Sequence, residues 1–377
     1  MHIFGNTTSM AKAKKLCFTV TNDLNYDQRM IRICTTLAAA GYEVTLVGVQ
    51  RKYSPELVER PFNQKRLPIL ADRGPLFFAS YWTVLFFYLL FKHTDVICAI
   101  DQDTMLSVYY ASKLKGCKRL YDAHELFTET KELVEKPVHA RFWKWMAKRY
   151  IPRFPLGYTV GNMVAKTLAE KYGVQYPVIT NATVLKPLVV TANTEPPFIL
   201  YQGAVNKGRC FEALIPAMQW VDMPLVICGE GNFFEQTKKL VEQYKVGNKV
   251  TLKGYVPPDQ LSEITRKAYM GLILLDDASQ NNVYSLANRV FDYMHSAVPQ
   301  LSMDFPEYRA MNDQFEIAYL LKAPLTPESI AAGINHLIAN KDLHERLKNN
   351  ALKAREVFNW QQNEIRLRSL YANLFNA

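Results

Sequence analysis

Five loops, each next to an apolar run, hold the residues of this chain that could do chemistry. The first, TNDLNYD, carries Asn22 and Asp27 and leads to Arg29. The second reads Asp122-Ala123-His124-Glu125. In the third, Gly203 and Gly208 flank Lys207, and Arg209 follows. The fourth is Gly229-Glu230-Gly231. The fifth begins at Ser285, passes Asn288 and Asp292, and ends at Arg309. Two cations at a helix start, beside glycines that let the backbone approach closely, suit a diphosphate. An Asn followed one turn later by a carboxylate suits a polyhydroxylated, anionic ligand. The first-turn N–H groups attract phosphate, and the carboxylate accepts from two hydroxyls at once. His124, on a loop between acids, reads as functional rather than structural.

Several chemistries are excluded by spacing. The Walker pattern GxxxxGK(S/T) is absent, and His124-Glu125 lacks HExxH spacing, so neither a P-loop nor a zincin is present. No GxGxxG follows the first strand, which argues against dinucleotide binding. The acid pairs Asp101/Asp103 and Asp276/Asp277 read as turn or cap residues, with metal-bridged nucleotide binding as their other use. Cys17, Cys34, Cys98, Cys117, Cys210 and Cys228 are scattered, which points to reduced thiols, a cytoplasmic protein and no zinc site. The N-terminal stretch MHIFGNTTSMAKAKK has no apolar export core, so no signal peptide is expected.

The elements that must carry these loops alternate. KLCFTV, YEVTLVGV, DVICAI, KRLYDA, LGYTVG and PVITNA read as strands in the first half, separated by helical runs. TVLKPLVVTANTEPP loses periodicity and gains proline, which sets a linker at 186–197 between a domain at 1–185 and a second at 198–377. The second half alternates again through PFILYQG, PLVICGEG, KVTLKGYV, MGLILLD and IAYLL, then ends in helices. With 377 residues, more than one core is expected. The fold class is α/β: two doubly wound, Rossmann-like domains facing a central cleft, with a helical C-terminus. Ligands of such sheets sit beyond the carboxyl ends of the strands.

Charge is unevenly placed. Residues 1–185 hold 25 Lys and Arg against 15 Asp and Glu, while residues 186–377 hold 20 against 20. The whole excess of +10 therefore lies in the first half. It implies an anionic partner there, a lipid surface or a phosphorylated substrate, or else a merely solvated basic surface. High pI alone has no nucleic-acid motif behind it, so no nucleic acid is expected. The segment LFFASYWTVLFFYLLF, 76–91, falls short of the ~20 residues of a membrane span. It reads as a helix covering a sheet, with an aromatic side able to meet a bilayer.

Taken together, the motifs resemble the retaining nucleotide-sugar glycosyltransferases of family four, with the two-domain GT-B fold. ILYQGAVNKGRCFEALIPA, LVICGEG, VTLKGYVPPDQL and SLANRVFDYMHSAVPQLSMDFPEYR are similar to the family's donor-side segments. YDQRMIRICTTLAAAGYEV and YDAHELFTE resemble its acceptor-side helix and D-x-H-E loop. The resemblance implies transfer of a sugar from a nucleotide sugar to a glycan or lipid-linked acceptor, in polysaccharide or glycolipid synthesis, at the inner face of the membrane. It implies no cofactor and no metal. Arg209, with Lys207, stands at the phosphate-binding position, and His124 lies near the transferred sugar; these three form the catalytic set. Asn288 and the N–H groups after it face the diphosphate, Asp292 the ribose, and Gly254 and Tyr255 the base; Ser285, Gly203, Gly229 and Gly231 complete the donor-binding set. Asn22, Asp27 and Arg29 are the acceptor-side residues. The chain departs from the pattern at Tyr284 (an acid in the family), at Asp292 (a Glu), and at Ala287 and Ala297 (a Pro and a Gly). An epimerase on the same fold, or a non-catalytic scaffold, are the alternatives.

Overall fold

A computed structural model describes residues 13–134, 136–188 and 196–376. The basic start of the chain, 1–12, and the middle of the expected linker, 189–195, lie outside the described residues. Among the described residues, twelve strands form two parallel sheets of six. The first contains β1 (Lys15–Thr19), β2 (Glu43–Gln50), β3 (Asn63–Pro68), β4 (Val96–Ile100), β5 (Lys118–Ala123) and β6 (Leu156–Thr159), in the order β3-β2-β1-β4-β5-β6. The second contains β7 (Ile199–Gln202), β8 (Leu225–Cys228), β9 (Val250–Gly254), β10 (Met270–Ile273), β11 (Gln300–Met303) and β12 (Ala318–Leu321), in the order β12-β11-β10-β7-β8-β9. Each sheet starts in its middle and winds outward both ways. The switch points lie between β1 and β4 and between β7 and β10, so those strand ends open the crevices.

The central strands are apolar because helices cover both faces. All five residues of β4, VICAI, are buried, as parallel strands require. The helix Gly74–Phe91 contains no charged residue, and its stripe Phe77, Tyr81, Leu85 and Leu89 enters the core. It therefore lies along the domain, beside the helices Asp101–Lys115 and Pro137–Tyr150. The expected two-domain α/β architecture is the one observed.

Three elements differ from expectation. The edge strand β3 reads NQKRLP, and its polar composition hides it. PVITNA forms no strand; it makes a single bridge, Thr159 to Val178, as the chain leaves the sheet. The expected second domain, 198–377, also gives up its last helix, Trp360–Asn376. Trp360, Leu367, Tyr371 and Leu374 join the first domain's core with Leu16, Phe18 and Ile33. The Trp360 indole donates to Thr36 Oγ1 at 3.0 Å. The apolar stripe of that helix is the cover for a sheet face that helix Gln28–Ala39 leaves partly open.

Candidate active site

The loop after β5 is built around an ion pair. The Arg29 guanidinium donates to both oxygens of Asp122, at 3.1 and 2.8 Å, and to the Ile179 carbonyl at 2.7 Å. Arg29 is 4% exposed and Asp122 not at all. Burial works against the Asp122 carboxylate, yet Arg29 and His124 hold it below its ordinary value. Asp122 Oδ2 in turn lies 3.1 Å from His124 Nε2. On the other side of the ring, His124 Nδ1 stands 3.6 Å from Asp101 Oδ2, and Asp101 Oδ1 accepts the His124 backbone N–H at 2.9 Å. Burial disfavours a charged ring, but Asp122 and Asp101 outweigh it and lift His124 to about 9. The ring is therefore a cation at neutral pH, held on one side by the Asp122 carboxylate and on the other by the Asp101 carboxyl, which burial pushes toward its neutral form.

Asp101 and Asp103 open the helix Asp101–Lys115 at the switch point. Burial raises Asp101, and it pushes Asp103 up to about 6 despite the hydroxyl of Thr21. Their spacing reads as a helix start, and only the fold brings them to His124. Asp101 is the functional candidate that local reading misses, because its partner is 23 residues away. Its backbone φ of 53° is a second mark, since a non-glycine there is strained.

After β1, Asn22 donates to Asp27 Oδ2 at 3.2 Å, and Asp27 Oδ1 caps the helix Gln28–Ala39 through the Met30 N–H. Asn22, Asp27, Arg29 and His124 all border one cavity of about 340 Å³, which Leu286 and Asn288 close from the second domain. The structure so brings the acceptor-side residues, His124 and Asn288 together. Arg29 reaches this wall with its donors already committed; its first work is to hold Asp122.

The donor-side glycines let three strand ends lie against each other. A Cβ on Gly229 would sit 1.9 Å from the Gly203 carbonyl oxygen, and one on Gly231 2.3 Å from Asn206 Oδ1. The loops are zipped by Gly203 N–H to Cys228 O at 2.9 Å, Gly229 N–H to Gly254 O at 2.7 Å and Lys207 N–H to Asn232 Oδ1 at 3.0 Å. Glu230 accepts from the Tyr255 N–H at 3.3 Å, fixing the turn at Gly254 and Tyr255. Lys207 is exposed and Arg209 half-buried. Beneath this loop lies a cation the motif reading passes over. Arg289 is buried, donates to the Gln202 carbonyl at 2.9 Å and stacks over Tyr201, 4.4 Å to the ring centre. Its sequence signal is a cation directly after Asn288.

Asp292 faces the segment that joins the domains. Thr183 Oγ1 donates to its Oδ1 at 2.7 Å and Gln202 Nε2 to its Oδ2 at 3.0 Å. Burial raises its pKa, against those two donors and Arg32. Asn181 Nδ2 donates to Asn288 Oδ1 at 2.9 Å. Ser285 ends the short helix Gln280–Tyr284, its hydroxyl donating to the Asn282 carbonyl. Tyr284 packs against the first domain's core.

Residues 28–184 match the family described as Glycosyltransferase Family 4, and residues 189–354 match Glycosyl transferases group 1. No curated protein matches the chain by sequence. Among solved structures, sucrose-phosphate synthase from Thermosynechococcus elongatus superposes with a TM-score of 0.79 at 16% identity, over 96% of this chain and 99% of that one. HepE of Anabaena, in complex with UDP and glucose, gives 0.75 at 14% identity, over 96% and 99%. WaaG, a glycosyltransferase involved in lipopolysaccharide biosynthesis, gives 0.74 at 12% identity, over 94% and 99%. At these identities the superpositions speak for the fold.

Proposed function

We propose that this chain, a glycosyltransferase of the GT-B fold, moves a sugar from a nucleotide-diphosphate donor to an acceptor hydroxyl with retention of anomeric configuration, in polysaccharide or glycolipid synthesis. The observation that carries the reading is the shared cavity: His124 and Asp27 from one domain meet Asn288 from the other across about 340 Å³. The complex of HepE with UDP and glucose, and the lipopolysaccharide role of WaaG, support the donor and acceptor classes.

In this reading the diphosphate lies over the loop of Gly203, Lys207 and Arg209, with Arg289 beneath it. Their positive charge stabilises the leaving group, each contact by ~2–4 kcal/mol at the transition state. The base rests at Gly254 and Tyr255, and the ribose hydroxyls compete for Asp292. His124 is no general base. It is charged, and both its ring nitrogens face aspartate side chains, so it contributes a positive edge beside the sugar. With no base in His124, the departing phosphate accepts the acceptor's proton on the same face, which retains configuration. The cations supply the neutralisation, and the proposal needs no metal.

Thermal melts with UDP-, GDP- and ADP-sugars, with and without EDTA, test it. One donor class should stabilise the protein, Arg209→Ala should weaken that effect at least tenfold, and EDTA should not alter it. If no nucleotide sugar shifts the melt, the transferase reading fails; if EDTA removes the shift, the metal-free part fails. The anomeric proton of the product, read by NMR, decides retention. A scaffold reading draws on Asp292, whose oxygens are both engaged, and on the Tyr284 packing. A protein that binds donor but turns over none would favour it.

A further inference from the structure

The excess positive charge of the first half has an address on the surface. Segments 73–92, 104–121 and 136–160 contain twelve Lys and Arg and not one Asp or Glu. They cover most of the neighbouring helices Gly74–Phe91, Asp101–Lys115 and Pro137–Tyr150 on one outer face of the first sheet. The two acids of these helices, Asp101 and Asp103, turn inward to His124 and Thr21; the second segment runs on into β5, where Lys118 reaches Leu374 on the opposite face. The helix Gly74–Phe91 buries one stripe and shows another equally apolar: Leu76 is 57% exposed, Phe87 52% and Phe91 82%. Arg73 and Lys92 stand at its two ends. Beside it, Pro137–Tyr150 anchors Trp143, Met146 and Ala147 inward and leaves Val138, Phe142 and Trp145 outward, between Arg141, Lys144, Lys148 and Arg149. Trp82 and Phe142 link the two helices, 6.3 Å between ring centres. Between Gly74–Phe91 and Asp101–Lys115 runs an apolar groove of about 470 Å³, lined by Trp82, Phe86, Leu106, Tyr110 and Leu114, with Lys113 on its wall.

A contiguous exposed apolar patch marks an interaction surface. Aromatics and Leu on one side with Lys and Arg around them suit the headgroup boundary of a bilayer. The charge selects among occupants. A second copy of this face would oppose cation to cation, whereas an anionic leaflet complements a rim of Arg73, Lys92, Lys113, Arg141, Lys144, Lys148 and Arg149, each cation near the surface being worth about fivefold in partitioning. The helix Gly74–Phe91 cannot leave to span a membrane without exposing Phe77, Tyr81, Leu85 and Leu89, so the domain lies on the surface.

We infer that this face docks on an anionic lipid bilayer, with Leu76, Phe87, Phe91, Phe142 and Trp145 dipping into the headgroup boundary and the groove taking an acyl chain. The inference is independent of the sugar handled in the cleft. The indole of Trp82, on the groove, donates to the Asp103 backbone carbonyl at 2.5 Å, which places the groove against the element that carries the His124 cluster.

The test is flotation of the full chain with vesicles of phosphatidylcholine alone and of phosphatidylcholine mixed equally with phosphatidylglycerol, at low and high salt. The protein should float with the mixed vesicles, lose binding as salt rises, and remain behind with phosphatidylcholine. Lys144→Glu/Lys148→Glu and Phe87→Ser/Phe91→Ser alter exposed side chains only; each should lower binding at least tenfold with an unchanged melt. Tryptophan fluorescence should shift to the blue on binding, and lose most of that shift in Trp145→Ala. A protein that stays at the bottom with the mixed vesicles at low salt overturns the inference. So does equal flotation of the charge-reversed variant, or a dimer that Phe87→Ser/Phe91→Ser dissociates while vesicles bind nothing.

Discussion

Arg29 holds Asp122, and Asp122 holds His124. With both partners of the ion pair buried, removing one leaves a charge unpaired in the interior. Arg29→Ala should therefore cost about 3–5 kcal/mol, read as a lower urea midpoint. The ring itself makes stability depend on pH. Its folded pKa of about 9 exceeds the ordinary 6.5, so its contribution is complete below pH 6.5 and is lost as pH rises through 9. Asp101, raised by burial, also loses stability as pH rises, but over a lower window that starts at its ordinary 3.8. Unfolding free energy should fall by up to about 3 kcal/mol between the ring's two limits, and His124→Gln should flatten the slope; an identical slope in the variant would refute the assignment. The D-x-H-E cluster was legible in the sequence because its members are adjacent. Arg29 reads there as an acceptor contact, since nothing local reveals a partner 93 residues on. Asp101 was hidden the same way.

Strand ends, more than single side chains, make the donor side. The loops after β7, β8 and β9 meet so closely that Gly229, at a φ of 145°, has the Gly203 carbonyl where a methyl would go. Gly229→Ala must push those loops apart, at a cost of at least about 2 kcal/mol, and should abolish the nucleotide-induced melt shift. Gly247→Ala is the control: its nearest neighbour is 3.9 Å away and its backbone is unstrained, so its stability should change by less than about 0.5 kcal/mol. A stable Gly229→Ala protein that still binds donor would show that the loops do not depend on this approach. Buried parallel strands such as VICAI were easy to read, being apolar throughout. β3 was not, because an edge strand tied by Arg66 to Asp23 needs no apolar run. Nor was Gln280–Tyr284, whose five residues are too few for a period to show.

The two domains are joined at more than the linker. Helix Trp360–Asn376 crosses from the second to complete the first, so the first sheet has no full core without it. One flank of the cleft is bridged by Lys131 to Asp276, Lys171 to Gln280 at 3.2 Å, and the Met163 N–H to Glu307 at 2.6 Å. On the other, exposed Tyr26 and Tyr255 meet edge to face, 6.4 Å between centres. A cleft was expected from the sequence; these contacts were not, since each pairs residues over a hundred positions apart or on loops without periodicity. Asn281 stands at the centre of the bridged flank. Its Oδ1 accepts the Leu126 N–H at 2.9 Å, and its Nδ2 donates to Glu125 at 3.1 Å. Asn281→Ala removes both bonds without touching either core. The Leu126 amide should then exchange with deuterium about tenfold faster, the equivalent of ~1.4 kcal/mol, while amides within β4 and β7 keep their rates. If closure of the cleft depends on that contact, the acceptor KM should rise with little change in donor affinity, because the donor loops lie wholly in the second domain. An unchanged Leu126 exchange rate would mean that the salt bridge and Glu307 hold the flank shut without Asn281.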